Sequence, residues 1–141
     1  MLPKISRILS FYLHGERYGI DLSLVAEVVD RPLMQPIPRT PSYFLGMMHI
    51  HGTPVPALDL GAYLEPGRGT EGGQVLTLAP EVANLALLVE SAGRIEPTTE
   101  IIPSLNELEL FPWIARLAEE DVRLLDVEQL LEWLTTALAG S

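Results

Sequence analysis

The chain has no cysteine among its 141 residues. Disulfides, thiolate metal sites and cysteine nucleophiles are thereby excluded, and the composition suits a reducing compartment, with the cytoplasm as the expected location. Positive charge is scarce: nine Lys and Arg stand against nineteen Asp and Glu, a formal net charge of −10. Nucleic-acid binding and docking on anionic lipid both depend on cationic residues, so neither partner is expected. No apolar run approaches the roughly 20 residues that span a bilayer, so no direct membrane insertion is expected. Met1 to Arg7 lacks the apolar core of a signal peptide. Catalytic signatures are missing too, with no Gly-x-Ser-x-Gly elbow and no helical His-Glu-x-x-His. The glycines of residues 65–73 are not followed by Gly-Lys-Ser/Thr, and the next segment reads as a strand, which removes the phosphate-loop reading.

What the chain does have is a hydrophobic content of 48%, enough for the core of one domain or of two small barrels sharing a core. Its acidity is uneven along the sequence. Residues 1–80 hold six Lys/Arg against seven Asp/Glu, and residues 81–141 hold three against twelve. That excess is either a solvated acidic face or a means of steering toward a partner with basic patches.

Residues 46–60 are the stretch around which the rest is organised. Met48 and Ile50 alternate with Met47, His49 and His51, and Leu58 and Leu60 alternate with Ala57 and Asp59, the period of two of half-buried strands. Gly52-Thr53 is the expected bend. Pro54 and Pro56 lie two apart, so their missing N–H groups fall on one edge and block it, which places this hairpin at the boundary of its sheet.

Elsewhere, Leu9, Phe11 and Leu13 and then Tyr18, Ile20 and Leu22 alternate about Gly15-Glu16-Arg17, a further hairpin. Ser23 is placed to cap a short helix of residues 24–29, with Glu27 in its first turns. Four prolines between residues 31 and 42 dictate an extended crossing segment. Gly61 to Leu64 reads as a turn, 65–73 as a flexible loop, and 75–78 with 85–89 as a second hairpin that Gly93-Arg94-Ile95 continues after a break. Residues 98–105 read as irregular. Val122, Leu124 and Leu125 form a last strand, and Asp126 caps a helix whose stripe is Val127, Leu130, Leu131, Leu134 and Leu138, stopped by Gly140. The stripe is expected to pack on the barrels. Trp133 lies off it, as a half-buried rim residue or a partner anchor.

These residues resemble the CheW-like domain family, adaptors that couple chemoreceptors to the histidine kinase CheA. Phe11-Tyr12-Leu13 with Glu16-Arg17-Tyr18-Gly19-Ile20-Asp21-Leu22 looks like the opening hairpin, and Val25-Ala26-Glu27-Val28 is similar to the family's Val-x-Glu-Val/Ile helix. Pro38-Arg39-Thr40-Pro41 precedes Phe44-Leu45-Gly46, and Gly52-Thr53-Pro54-Val55-Pro56-Ala57-Leu58-Asp59-Leu60 resembles Gly-x-x-x-Pro-Val-x-Asp-Leu. Leu88-Val89-Glu90, Arg94-Ile95 and Leu124 to Leu131 complete the match over roughly residues 8 to 134. The resemblance implies a mainly β fold. It consists of two small SH3-like five-stranded barrels packed together, with a short linker helix and a C-terminal α-helix. The first barrel would take in about 15–78, the second about 7–14 and 79–125, and the helix 126–139.

By the same resemblance the chain is a cytoplasmic, non-enzymatic adaptor with no cofactor. Its partners would be the helical cytoplasmic tip of a chemoreceptor, taken in an apolar groove between the barrels, and the regulatory domain of a CheA-type kinase, in chemotaxis or a related motility pathway. The receptor-facing positions carry over to Val25, Glu27, Gly46, His51 and Gly52. Each also has a plain structural reading: Val25 as core, Glu27 as a solvated charge, the glycines as turn residues. The chain departs from the family at His49-Ile50-His51-Gly52, where Asn-Leu-Arg-Gly is usual. Histidine lacks arginine's five-donor fork and is mostly neutral near pH 7, so either the partner differs or the coupling role is altered, leaving a scaffold without a receptor. A different class of function, a metal site on His49 and His51 with Asp59 on the facing strand, has only two histidines at chelating spacing and no third ligand in the pattern.

Overall fold

The computed structural model describes residues 2–105 and 110–139, so the expected stop at Gly140 lies outside the described residues. Strands β1 (Arg7–Leu13), β2 (Glu16–Asp21), β8 (Ser91–Pro97), β9 (Glu100–Pro103), β10 (Trp113–Arg116) and β11 (Asp121–Leu124) form a six-stranded sheet in the order β8-β1-β2-β11-β10-β9. The other sheet has five strands in the order β3-β6-β7-β5-β4, built from β3 (Val25–Asp30), β4 (Phe44–Ile50), β5 (Thr53–Asp59), β6 (Gln74–Leu78) and β7 (Ala86–Val89). Helix α1 is Leu60–Leu64 and α2 is Val127–Ala139. The chain divides into two compact units. One comprises Met1–Ser10, Arg17–Leu22 and Arg94–Ser141, the other Phe11–Glu16 and Ser23–Gly93.

In the unit that holds β10 and β11, Ile8, Ala115, Leu117, Val122 and Leu124 form the core, with Ile5, Ile101 and Trp113 packed against it. Burying a large aliphatic side chain contributes about 1.5–3 kcal/mol, and here the alternation of β11 aims Val122 and Leu124 inward while Asp121 stays exposed. Arg17 reaches Glu96 through one guanidinium nitrogen and Glu120 through the other, joining β2 to β8 and to the β10–β11 turn. Burial works against the charge of Arg17, but hydrogen bonds to Glu120 and Glu96 outweigh it and hold the guanidinium above its ordinary pKa. Asp126 caps α2 by accepting from the Gln129 N–H at 3.1 Å. Val127, Leu130 and Leu134 are buried as the stripe requires, Leu131 and Trp133 are half-buried, and Leu138 is exposed.

Two stretches expected to be irregular or left unassigned are strands: β9 pairs with β10, and β10 with β11, antiparallel in both cases. With them the strands number eleven among the described residues, and the sheet that holds them has six. Both are four-residue strands whose alternation is too short to stand out in sequence.

The five-stranded unit is centred on Met48, Val55, Ala57, Val75, Ala86 and Leu88, with Val29, Met34, Leu45 and Ile50 packed against them. The helix expected over residues 24–29 is absent. A single 3₁₀ turn, Leu22–Leu24, precedes β3, which pairs antiparallel with β6 from Val25↔Leu78 to Asp30↔Gln74. β-branched Val25, Val28 and Val29 favour the pleated form, and alternation of half-buried with exposed positions along β3 shows the strand period. The short helix lies further on, as α1, where only a turn was expected.

Asp59 accounts for α1 and for the loop after it. Its Oδ1 accepts from the Ala62 N–H at 3.0 Å, capping the helix, and from the Thr70 hydroxyl at 2.5 Å, while Oδ2 accepts from the Thr70 N–H at 3.0 Å. Asp59 and Thr70 are both buried, so the glycine-rich loop is pinned from below at Thr70. Removing the carboxylate withdraws a helix cap, at about 0.5–2 kcal/mol, and leaves buried Thr70 donors unpaired, at about 1–3 kcal/mol. Asp59→Ala is therefore expected to lower unfolding free energy by about 3 kcal/mol, read from the urea midpoint. Asp59→Asn, which keeps an acceptor oxygen, should lose less.

Candidate functional site

The hairpin of β4 and β5 pairs Ile50 with Thr53, His49 with Pro54, Met48 with Val55 and Met47 with Pro56. The turn is therefore His51-Gly52, one residue earlier than Gly52-Thr53. Their φ values of 50° and 79° are those of a two-residue turn with both central residues left-handed, as in type I′. Such a turn closes on a hydrogen-bonded pair, here Ile50 and Thr53, which puts Pro54 and Pro56 at positions facing away from β4. Their blocked edge is thus the one toward β7, and the parallel β5–β7 pairing begins only at Ala57↔Ala86. The Asn84 side-chain amide donates to the Pro54 carbonyl at 3.0 Å where the ladder is missing. The hairpin does lie at the sheet boundary, but through β4 and not through the prolines, whose blocked side faces the neighbouring strand β7; part of the β4 edge is bridged by Gln35, whose N–H and C=O both bond to Met47.

Val25, Glu27, Gly46, His51 and Gly52 all belong to this unit. Glu27 and His51 meet: the imidazole Nε2 lies 2.6 Å from Glu27 Oε1. The contact spans the sheet order, since Glu27 is on edge strand β3 and His51 on the turn beside edge strand β4. The sheet must curl for them to touch. With side chains 78% and 40% exposed, the pair contributes about 0–1 kcal/mol to stability. Its consequence is geometric, tying the hairpin tip to β3.

Two further features hold Glu27. Between Val25↔Leu78 and Glu27↔Thr77 the register shifts, a β-bulge that sets two residues of β3 against one of β6. The buried Thr77 hydroxyl accepts from the Glu27 N–H at 3.1 Å and donates to the Glu27 carbonyl at 3.4 Å. Nothing in the sequence pattern singled out Thr77. The signal was a lone hydroxyl inside the apolar run Gln-Val-Leu-Thr-Leu, but its partner lies 50 residues back.

Val25 is half-buried at the start of β3 and Gly52 is exposed at the turn. Gly46 is buried with φ 151°, and a Cβ there would fall 2.4 Å from the Gln35 carbonyl oxygen. Gly46 thus lets the 31–42 segment close onto β4.

The placement of His49 and His51 on one strand face does not hold, because alternation ends at Ile50 and His51 is a turn residue. Asp59, far along β5, is engaged with Ala62 and Thr70. Among the described residues no three His, Cys, Asp or Glu side chains are grouped to hold a metal ion.

Tyr43 stacks edge-on against Tyr63 at 4.8 Å and lies 5.4 Å from Phe44. Burial and then Tyr43 push the Tyr63 phenol up. Counted by unit rather than along the chain, the charge evens out. The unit with α2 holds six Lys/Arg against eleven Asp/Glu and the other three against eight, a net −5 in each.

The described residues thus form two sheets, with an exposed side-chain contact at the tip of one hairpin. The family model described as the CheW-like domain matches residues 7–135, and the chain belongs to that family. It is 30% identical over 96 residues to the chemotaxis protein CheW of Treponema pallidum (strain Nichols), covering 63% of this chain and 56% of that one. It is 38% identical over 56 residues to protein FrzA of Myxococcus xanthus, covering 40% and 35%. The chain thus spans about half, or less, of the length of these curated relatives. The crystal structure of the scaffolding protein TtCheW from Thermoanaerobacter tengcongensis matches with a TM-score of 0.76 over 87% of this chain and 90% of that one, at 23% identity. That likeness is one of fold, two SH3-like domains.

Two measurements follow from the geometry. Gly46→Ala should cost several kcal/mol, combining left-handed strain with a backbone clash, whereas Gly52→Ala meets open space and should cost only about 1–2 kcal/mol; chemical denaturation of both ranks them. Elemental analysis of tag-free protein purified without chelator should find no stoichiometric metal. One zinc per chain that disappears on changing His49 and His51 to alanine would sink that expectation.

Proposed function

We propose that this chain is a non-enzymatic adaptor that joins the helical cytoplasmic tip of a chemoreceptor to the regulatory domain of a CheA-type histidine kinase, acting in the cytoplasm in chemotaxis or a related motility pathway. The observation that carries this reading is the family match running through residues 7–135. The fold likeness to a scaffolding protein and the similarity to a chemotaxis protein support it. Among the described residues no helix is long and apolar enough to cross a membrane. Mechanism on this reading is physical bridging. Val25, Glu27, Gly46, His51 and Gly52 are the receptor-contact positions, Glu27 and His51 supplying a polar pair at the edge of the five-stranded sheet and the glycines fixing the backbone that presents it.

His51 favours a second reading, a scaffold of the same fold without a receptor partner. An arginine there would offer a permanent charge and a planar fork to a carboxylate, and histidine offers neither.

Glu27→Lys tests the contact without touching the core, since it sets a cation beside His51 on an exposed side chain. Pull-down of a chemoreceptor cytoplasmic fragment should fall at least about ten-fold while circular dichroism and melting temperature stay near wild type. Val25→Lys should also abolish capture; if it unfolds the protein, Val25 is core. Normal binding by both variants would defeat the receptor reading. His51→Arg separates the alternatives, because capture gained by the arginine variant alone would mark the natural chain as the scaffold without a receptor.

A further inference from the structure

We propose that Thr77 is a positioning residue: its hydroxyl holds open the bulge in β3 and so aims the Glu27 carboxylate at His51. The proposal rests on the reading of Glu27 and His51 as contact residues, but its geometric part stands on β3 and β6 alone. From Val28↔Leu76 to Asp30↔Gln74 the two strands advance residue for residue, whereas Val25↔Leu78 to Glu27↔Thr77 takes two residues of β3 for one of β6. Side chains alternate faces at every step, so one inserted residue decides which face every neighbour presents. Ironed out from the Val25 side, the register would set Ala26 opposite Thr77 and Glu27 opposite Leu76, a fully buried leucine. The carboxylate would then leave the face on which it meets His51.

A bulge breaks the ladder locally, and the backbone groups it strands need other partners. The residue left out of the pairing is Ala26, and beside it Glu27, still paired with Thr77, has both its backbone groups reached by one side-chain atom. The Thr77 hydroxyl accepts the Glu27 N–H at 3.1 Å and donates to the Glu27 carbonyl at 3.4 Å, and Thr77 is only 5% exposed, so water is a poor substitute. A hydroxyl is the smallest side-chain group that can donate and accept at once. Threonine also keeps the β-branched shape a buried strand favours. The isosteric valine would keep the shape and lose both bonds, which removes the side-chain contacts that favour the bulged register.

The test uses the full chain, labelled for NMR. In the wild type the His51 ring and the Glu27 side chain should show a nuclear Overhauser contact, and the Glu27 amide should exchange slowly. In Thr77→Val the contact should vanish and the Glu27 amide should exchange at least about ten-fold faster, with the remaining strands still protected. Thr77→Ser should restore both. A residue that merely stabilises the core would lower the melting temperature and leave the His51–Glu27 contact in place. An unchanged contact in Thr77→Val, or none in Thr77→Ser, overturns the proposal. Thr77→Ala removes the hydroxyl without setting a methyl against the two peptide groups and should behave as the valine variant does. If neither variant folds, the hydroxyl is a requirement of folding and the positioning role falls. Capture of the receptor fragment separates this proposal from the reading beneath it. Binding kept while the contact is lost supports Thr77 as the aiming residue and defeats the receptor role of the pair. Binding lost while the contact persists overturns the role given to Thr77.

Discussion

The two left-handed residues at the tip of the β4–β5 hairpin set the register on which most of the five-stranded unit depends. With His51 and Gly52 as the two turn residues, Met48, Val55 and Ala57 point into the core. A slip of one residue between β4 and β5 would set Met48 on the face opposite to Val55 and Ala57. The same register buries Asp59 where it caps α1 and holds Thr70, and it carries the His51 ring out to Glu27 on the other edge of the sheet. A turn conformation is thus converted, along one strand in each direction, into the packing of a loop and the curl of a sheet.

Much of this was legible in the sequence because it is local. Alternation located the strands of both hairpins, the doubled prolines marked a blocked edge, and Asp126 with Gln129 announced α2. Both hairpin turns were nonetheless read late, and for one reason. The first turns on His14-Gly15 and the second on His51-Gly52, with φ of 50° at each histidine and 82° and 79° at the glycines. Glycine is the conspicuous turn former, but histidine tolerates left-handed φ better than most residues, and in a two-residue turn the residue before the glycine is already in the bend.

Other features were illegible because their causes lie far away in the chain. Residues 24–29 satisfy a helical reading as well as a strand, and only β6, some 50 residues on, decides between them. That is also why Glu27, expected on a helix, lies on a strand. Of the candidate positions, Glu27 and His51 are joined by a direct contact, and Gly46 and Gly52 are explained by backbone conformation. Thr77 could not be found, since a hydroxyl in an apolar run signals only that a partner exists. The apparent concentration of acidity in the second half of the chain was a property of reading order. Because Lys4, Arg7, Arg17 and Asp21 join the unit of the C-terminal residues while Glu81 and Glu90 fall in the other, each ends with the same net charge of −5, and neither is singled out for a basic partner.

The path of the chain through the two units has a consequence for biosynthesis. The unit of residues Phe11–Glu16 and Ser23–Gly93 has all its strands once Gly93 has left the ribosome, while the other holds β1 residues from the start of the chain and must wait for β10, β11 and α2. At ordinary rates of about 5–20 residues per second, Ile8 therefore spends several seconds without its eventual neighbours Val122 and Leu124. No gene fragment with a single start and stop encodes either unit alone. A nascent chain cut short before β11 would carry a finished hairpin tip, with His51 already against Glu27, on a polypeptide whose other half has no core to join.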